Sequence, residues 1–342
     1  RKALILDLEA ALPRIWGRTV HSIFIGGGTP SLFAPKEIEA LLDDIRARVR
    51  LEPGCEVTLE ANPGTFESQR FAASARAGVS RLSIGVQSFN DQALLALGRV
   101  HDGRQARAAV EEAAASFATW NLDLMYALPG QTLAALEEDL RIALALQPPH
   151  LSIYHLTIEP NTRFAVQVPE GLPDDDEAYG MLDRIIERTA QVGLSRYEVS
   201  AFARPGHRCT HNLNYWRFGD YLGIGAGAHS KLSFPDEVLR QVRWREPRAY
   251  LDAAEQGRAV SNEHRIEPAD RPFEFMLNGL RLIDGVSVRA FQERTGLSPA
   301  VLEPALRKAL GRGLLVQEGL QIRPTTHGLD FLSDLQAMFL PD

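Results

Sequence analysis

The chain has 342 residues, is 45% hydrophobic and 24% charged, and carries a formal net charge of −7. That length buries a large core without disulfide or metal staples, and the ordinary composition excludes collagen-like and low-complexity chains. The acidic balance argues against a nucleic-acid binder, two cysteines exclude a disulfide-rich secreted fold, and no run approaches the roughly 18 apolar residues of a membrane span.

RKALILDLEAALPRIW, at the start, reads as an amphipathic helix and has no signal-peptide cleavage site. The chain opens inside this pattern without an initiator Met, so an upstream segment is expected. Val20–Ile25 is a β-branched strand that stops at Gly26-Gly27-Gly28, and a helix follows over Pro35–Val49. Glu56–Ala61 is the next strand, with a helix over Phe66–Ala77 closing on Gly78. Arg81–Gln87 is a third strand, before helices at Asp91–Leu97 and Gly103–Phe117. Trp120–Tyr126, His150–Ile158 and Tyr197–Ala203 are strands four to six, separated by helices at Leu133–Leu146 and Asp174–Val192. Strands alternating with helices imply βαβ units and a parallel sheet with right-handed crossovers.

Arg204–Arg245 reads as a junction rich in Gly, aromatics and His, and Glu246–Pro268 as a helix plus a connector. Beyond it come three helices, the third with Ser298 as N-cap and Pro299 at its first position, then a hairpin turning at Glu318-Gly319 and a last helix. That is a winged-helix-like layout. Residues 269–342 hold 8 Lys/Arg against 9 Asp/Glu, so a packing or docking role is expected there rather than DNA binding.

Polar residues gather at successive strand ends: Gly26–Thr29, Glu60, Gln87, Asp123 and His155. In a barrel of βα units this is the face where sites are built. Three glycines after a strand let the backbone approach a ligand, and Thr29 adds a hydroxyl, but the run lacks the phosphate-loop pattern. Asp123 interrupts an apolar strand, where a carboxylate is costly unless paired or ligand-bound. Glu60 and Asp123 as acceptors, Arg99 as a bidentate donor and Gln87 as an amide suit a ligand with a charged amino-acid end and a ribose diol; a structural ion pair with Arg99 is the plain alternative.

A second constellation, within RPGHRCTHNLNYWRFGDYLGIGAGAHS, holds His207, Cys209, His211, Asn212, Tyr215, Trp216 and His229. Structural zinc wants four ligands at wider paired spacing. A His ligand with flat aromatics suits heme, while a satisfied polar network over a junction core explains the same residues without a ligand.

FIGGGTPSLF, EVTLEANPGTF, RLSIGVQSFN, LGRVHD, NLDLMYALPGQT, YHLTIEPNT, HNLNYW and YLGIGAGAH, in that order, resemble the radical S-adenosylmethionine proteins around oxygen-independent coproporphyrinogen III oxidase, and within them the heme-chaperone branch. The resemblance runs from Leu6 to the C-terminus. It implies a partial (β/α)6 barrel over residues 1–235, with its first strand absent from this chain, and a small helical, winged-helix-like domain over 236–342. It implies that Gly27, Gly28, Thr29, Glu60, Gln87, Arg99 and Asp123 contact S-adenosylmethionine. HNxxYW belongs to the chaperone branch rather than the oxidases, which implies heme contact through His211, with Asn212, Tyr215 and Trp216 beside it.

One departure is large: the family's CxxxCxxC motif, which binds a [4Fe–4S] cluster, is not in these residues, and Cys55 and Cys209 do not resemble its ligands. The motif is expected upstream of Arg1, so no radical chemistry is expected of these 342 residues alone. The function implied is a cytoplasmic heme chaperone with heme as cargo and an acceptor hemoprotein as partner. Its S-adenosylmethionine and cluster support or regulate transfer. No nucleic acid is involved, and the resemblance admits a homodimer and transient membrane contact. The alternative is the oxidase itself, which decarboxylates coproporphyrinogen III propionates.

Overall fold

The computed structural model describes residues 1–64, 70–160 and 163–341. They form two compact units, one of His21–Leu42 and Pro53–Cys209, the other of Arg1–Val20, Asp43–Glu52 and Thr210–Asp342. The boundary expected at residues 235 and 236 falls inside the second unit.

One sheet contains β1 (Thr19–Ile25), β2 (Arg50–Ala61), β3 (Arg81–Gln87), β4 (Thr119–Tyr126), β5 (His150–His155), β6 (Ser195–Arg196) and β7 (Ala201–Ala203). Their order is β1-β2-β3-β4-β5-β7-β6, and β2 through β5 pair in parallel. Helices lie between the strands as the alternation predicts. Gly103–Ser116 and Asp175–Gln191 begin in capping boxes on Asp102 and Asp174, which satisfy the otherwise orphaned first-turn N–H groups. One face of the sheet packs Leu82, Ile84, Leu122 and Leu151 against Leu42, Ala106, Leu140 and Ile185 of the helices. This apolar layer drives the assembly and leaves the other face free to be polar. The expected helix over 66–77 is seen as Phe71–Arg76, and Phe66 lies outside the described residues.

The sixth strand departs from the expectation of a parallel sheet. Tyr197–Ala203 is not one strand: Glu198 turns the chain by accepting from the Ser200 N–H at 3.1 Å. Only β7 joins β5, antiparallel, and β6 pairs with β7, also antiparallel. The segment between β6 and β7 is a tight turn, and a parallel crossover needs roughly a dozen residues. A hairpin is therefore the only pairing open to it.

The second unit contains an antiparallel sheet, β10-β9-β8, built from β8 (His229–Ser233), β9 (Val238–Arg243) and β10 (Val260–Arg265). The expected junction thus contains two strands, and the expected helix, Pro247–Glu255, is followed by a third where a connector was expected. Alternation was masked there because polar residues dominate both β8 and β10. The helix Lys2–Ile15 belongs to this unit, with buried Asp7 receiving the Tyr250 hydroxyl at 3.1 Å, the Gly225 N–H at 3.2 Å and Arg243 Nε at 3.4 Å. Lys231 is also buried; its ammonium donates to Asp220, Ser233 and the Phe218 carbonyl, and burial pulls its pKa down to about 8.

At the C-terminal end, helices Arg271–Gly279, Val288–Thr295 and Glu303–Gly311 enclose a core of Phe275, Met276, Phe291 and Leu306. A small sheet, β11 (Val286–Ser287), β13 (Gln321–Pro324) and β12 (Leu315–Glu318), completes the winged-helix-like layout. Ser298 caps a 3-10 turn, Pro299–Leu302, that precedes the third helix instead of starting it. Gly285 enters β11 at φ 68°, and a Cβ there would stand 1.9 Å from the Ile322 carbonyl oxygen. Gly285→Ala is expected to destabilise this end by about 3 kcal/mol, from left-handed strain plus the backbone clash. Urea unfolding of the two proteins measures it, and equal midpoints would refute it.

Candidate functional site

Strand register builds the floor of the site. Glu60 on β2 pairs with Ser83 on β3, Ser83 with Asn121 on β4, and Asn121 with His150 on β5. One step along, Gly85 pairs with Asp123 and Asp123 with Ser152. Because side chains alternate along a strand, these two rows share one face, opposite the buried leucines. Above them is a cavity of about 230 Å³ lined by Gly28, Pro30, Glu60, Ala61, Asn62, Ser83, Gly85, Gln87, Arg99 and Asp123.

Of the glycine run only Gly28 lines the cavity, with Pro30 after it; Gly27 and Thr29 flank it. Gly27 and Gly28 have φ of 83° and 61°, backbone that L side chains rarely adopt. Gly26 lies so close to its neighbours that a Cβ would meet the Phe24 ring at 2.4 Å and Glu60 Oε2 at 2.9 Å. The Gly27 N–H donates to Glu60 Oε2 at 3.0 Å, so the loop and the end of β2 are tied together. Thr29 lies beside the cavity, its hydroxyl accepting from Asn62 Nδ2 at 3.4 Å.

Gln87 and Arg99 are delivered by a rigid turn. A register shift between Gly85 and Gln87 and a left-handed φ of 70° at Gln87 bend β3 at its end. Buried Asp139 holds the next residues, accepting from Ser88 Oγ at 2.6 Å and the Phe89 N–H at 2.8 Å. The helix Asp91–Ala96, capped by Asn90, ends at left-handed Gly98, and Arg99 emerges after it. Buried His101 then anchors the loop to the Val86 carbonyl at 3.0 Å.

Asp123 is the electrostatic centre. Burial raises its pKa to about 6, opposed by hydrogen bonds from Asn121, Ser83 and Ser152 and reinforced by the Glu60 charge. Burial also lowers the Arg99 pKa, with Asp123 pulling the other way. Two carboxylates and one guanidinium around a polar cavity match a ligand carrying both a cation and hydroxyl donors. Asn62, Ser83 and Gly85 were not singled out from the sequence. Asn121, which is buried, was also missed, and its position two residues before Asp123 was a legible signal, since i and i+2 share a strand face.

The other group of expected site residues belongs to the second unit, on the helix Thr210–Trp216. His211 and Asn212 are half-buried. Tyr215 is exposed and meets Tyr221 edge-on at 4.6 Å, while the Trp216 ring lies 4.3 Å from the Arg281 guanidinium and packs on the C-terminal core. Trp216 Nε1 is buried without a hydrogen-bond partner among the described residues. Gly223, in the YLGIGAGAH segment, allows close approach to β8: a Cβ there would be 2.2 Å from the His229 carbonyl oxygen. His229 itself is exposed. Cys55 is half-buried on β2 and Cys209 is buried in the first unit, and two cysteines do not supply the thiolates of a [4Fe–4S] cluster. No described helix is long and apolar enough to cross a membrane.

Residues 5–143 match the radical SAM superfamily, and residues 266–331 match the HemN C-terminal domain. The chain is 45% identical over 345 residues to the heme chaperone HemW of Haemophilus influenzae, covering 99% of this chain and 89% of that one. It is 45% identical over 341 residues to the heme chaperone HemW of Escherichia coli, with the same coverage. The Bacillus subtilis heme chaperone HemW is 35% identical, covering 90% of this chain and 82% of its own. Among solved structures, the fold is shared with E. coli coproporphyrinogen III oxidase, HemN, a radical SAM enzyme, at a TM-score of 0.80 and 23% identity over 99% of this chain and 82% of that one.

Proposed function

We propose, from the premise that this chain belongs to the HemW family of radical SAM proteins, that it is a heme chaperone, binding heme and delivering it to acceptor hemoproteins. The observation that carries this reading is 45% identity over nearly the whole chain with proteins of that name. The 23% identity with the oxidase speaks for the fold alone.

S-adenosylmethionine is the ligand we assign to the cavity. Its amino-acid head, sulfonium and ribose diol match the donors and acceptors there. On this reading Gly27, Gly28 and Thr29 hold the methionine end, where the left-handed backbone brings polar groups close. Glu60 and Asp123 accept from ammonium or hydroxyl groups, Arg99 receives the carboxylate, and Gln87 supplies an amide. The chain's own two thiols do not fit a [4Fe–4S] cluster.

Heme is cargo in this reading. His211 would hold the iron and Asn212 would flank it. The exposed Tyr215 ring can stack on a porphyrin. Trp216, packed under Arg281, would serve as the wall behind it. Half-burial suits a carrier, which must hold heme and yet release it. The protein would act in the cytoplasm; self-association and transient membrane contact extend the reading to acceptors at membranes.

A heme titration of the full-length protein followed by absorbance tests it. One-to-one saturation with a Soret band is expected, and His211→Ala is expected to weaken it tenfold or more, about 1.4 kcal/mol. No saturable binding would overturn the chaperone reading and turn attention to coproporphyrinogen decarboxylation.

A further inference from the structure

Behind Asp123 the polar face continues as a hydrogen-bonded chain deep in the first unit. Asn121 is 6% exposed, and His150 and Tyr197 are 1% each. Asn121 Nδ2 donates to Asp123 Oδ1 at 2.7 Å and to Ser83 Oγ at 2.8 Å. Asn121 Oδ1 lies 2.7 Å from His150 Nδ1 and accepts from Ser152 Oγ at 3.0 Å. His150 Nε2 lies 2.8 Å from the Tyr197 hydroxyl, and the Cys209 N–H donates to that hydroxyl at 3.4 Å.

We infer that His150 is a positioning residue for the cavity: through Asn121 it fixes the hydrogen bonding of the Asp123 carboxylate. An ionised carboxylate only accepts, so Asn121 must turn its NH2 toward Asp123 and its oxygen toward β5. That oxygen then requires the proton of His150 on Nδ1. Nε2 is left to accept from the Tyr197 hydroxyl, which in turn accepts from the Cys209 N–H. Every bond runs one way and ends on Asp123. Without a donor at the Nδ1 position, the amide oxygen keeps only the longer bond from Ser152 Oγ, at 3.0 Å, and the orientation of the Asn121 NH2 toward Asp123 is held less firmly.

On the other face the same strands pack through Leu82, Ile84, Leu122 and Leu151. A buried His–Asn–Tyr set specifies one arrangement at a cost that leucines would not incur. Other groups also face Asp123: Glu60 from β2, Arg99 from the loop after β3 and Tyr154 from β5. Those are unchanged in the variants below, so a change in Asp123 titration reports on the chain behind it.

The test is a titration of the Asp123 carboxyl carbon by NMR in full-length protein without ligand, the signal assigned with Asp123→Asn. The wild-type midpoint is expected near 6. In His150→Phe it is expected to rise by about one pH unit, a tenfold change in acidity. His150→Asn, whose Nδ2 can stand where Nδ1–H stands, is expected to restore it. If the Phe variant does not fold, His150→Gln, which lacks a donor at that place, substitutes for it. An unmoved midpoint, or equal shifts in the Phe and Asn variants, overturns the inference. The functional consequence rests on the S-adenosylmethionine reading and has its own readout: affinity for S-adenosylmethionine near pH 6 should fall several-fold in His150→Phe and recover in His150→Asn. Midpoints that shift as expected while affinity stays flat would uphold the positioning and refute the cavity's assignment.

Discussion

Asp123→Ala is expected to weaken S-adenosylmethionine binding by roughly 30-fold to 1,000-fold, the effect of truncating one partner of a desolvated charged contact worth about 2–4 kcal/mol. Calorimetry on the full-length protein measures it; a change below about threefold would remove Asp123 from the binding residues. The same carboxylate should act on stability in the opposite direction. Its folded pKa, about 6, lies above its ordinary value of 3.8 because burial disfavours the charge. The folded state therefore holds this proton more tightly than the unfolded chain. The resulting stability is fully present below about pH 4 and is lost as pH rises to about 6. Above that pH, Asp123→Asn should be the more stable protein, by on the order of 1–3 kcal/mol, while binding is lost. A variant both weaker in binding and less stable at neutral pH would contradict this account.

The second large effect is structural. Asp7 and Arg243 are 2% and 1% exposed and face each other, with Tyr250, Gly225 and Ser230 completing their hydrogen bonds. Burial leaves either charge nowhere to go if its partner is removed. Asp7→Ala and Arg243→Ala are each expected to destabilise the second unit by about 3–5 kcal/mol. Asp7→Leu combined with Arg243→Met should recover much of that loss, because two apolar chains carry no desolvation penalty. Urea denaturation of the single and double variants gives the coupling. Additive losses in the double variant would show that the pair does not act as a unit. Burial of Tyr250 beside Asp7 raises its phenol pKa, which keeps the hydroxyl a donor to that carboxylate across the physiological range.

The elements most legible in the sequence were those with local causes. Arg81–Gln87 was bounded correctly because apolar residues alternate up to a polar end. Gly103–Ser116 and Asp175–Gln191 were placed within a residue or two because Asp102 and Asp174 announce capped starts. The hairpin β12–β13 followed from Glu318-Gly319, and Gly296, at φ 72°, ends its helix in the way a glycine there permits. The strands of 229–265 were not legible, since β10 is exposed and polar while β8 and β9 bury Ser230, Lys231, Gln241 and Arg243, so no apolar period shows. The break at Glu198 was equally hidden, since a run of strand-forming residues does not show where a side chain will turn the backbone.

The sequence by itself determined the family, the alternation of strand and helix through β5, and the residue types at the cavity, because each is written in neighbours along the chain. Only the tertiary structure decided the rest. Register between parallel strands places Glu60, Ser83, Asn121 and His150 in one row, though the chain separates the first from the last by ninety positions. The same register joins Asp7 to Arg243 in neither row, since that pair depends on how the first helix meets β9. Which carboxylate titrates near 6, and which histidine stands behind it, are consequences of burial and cross-strand contact. Neither quantity exists until the chain has closed on itself, so no spacing along the sequence could have carried it.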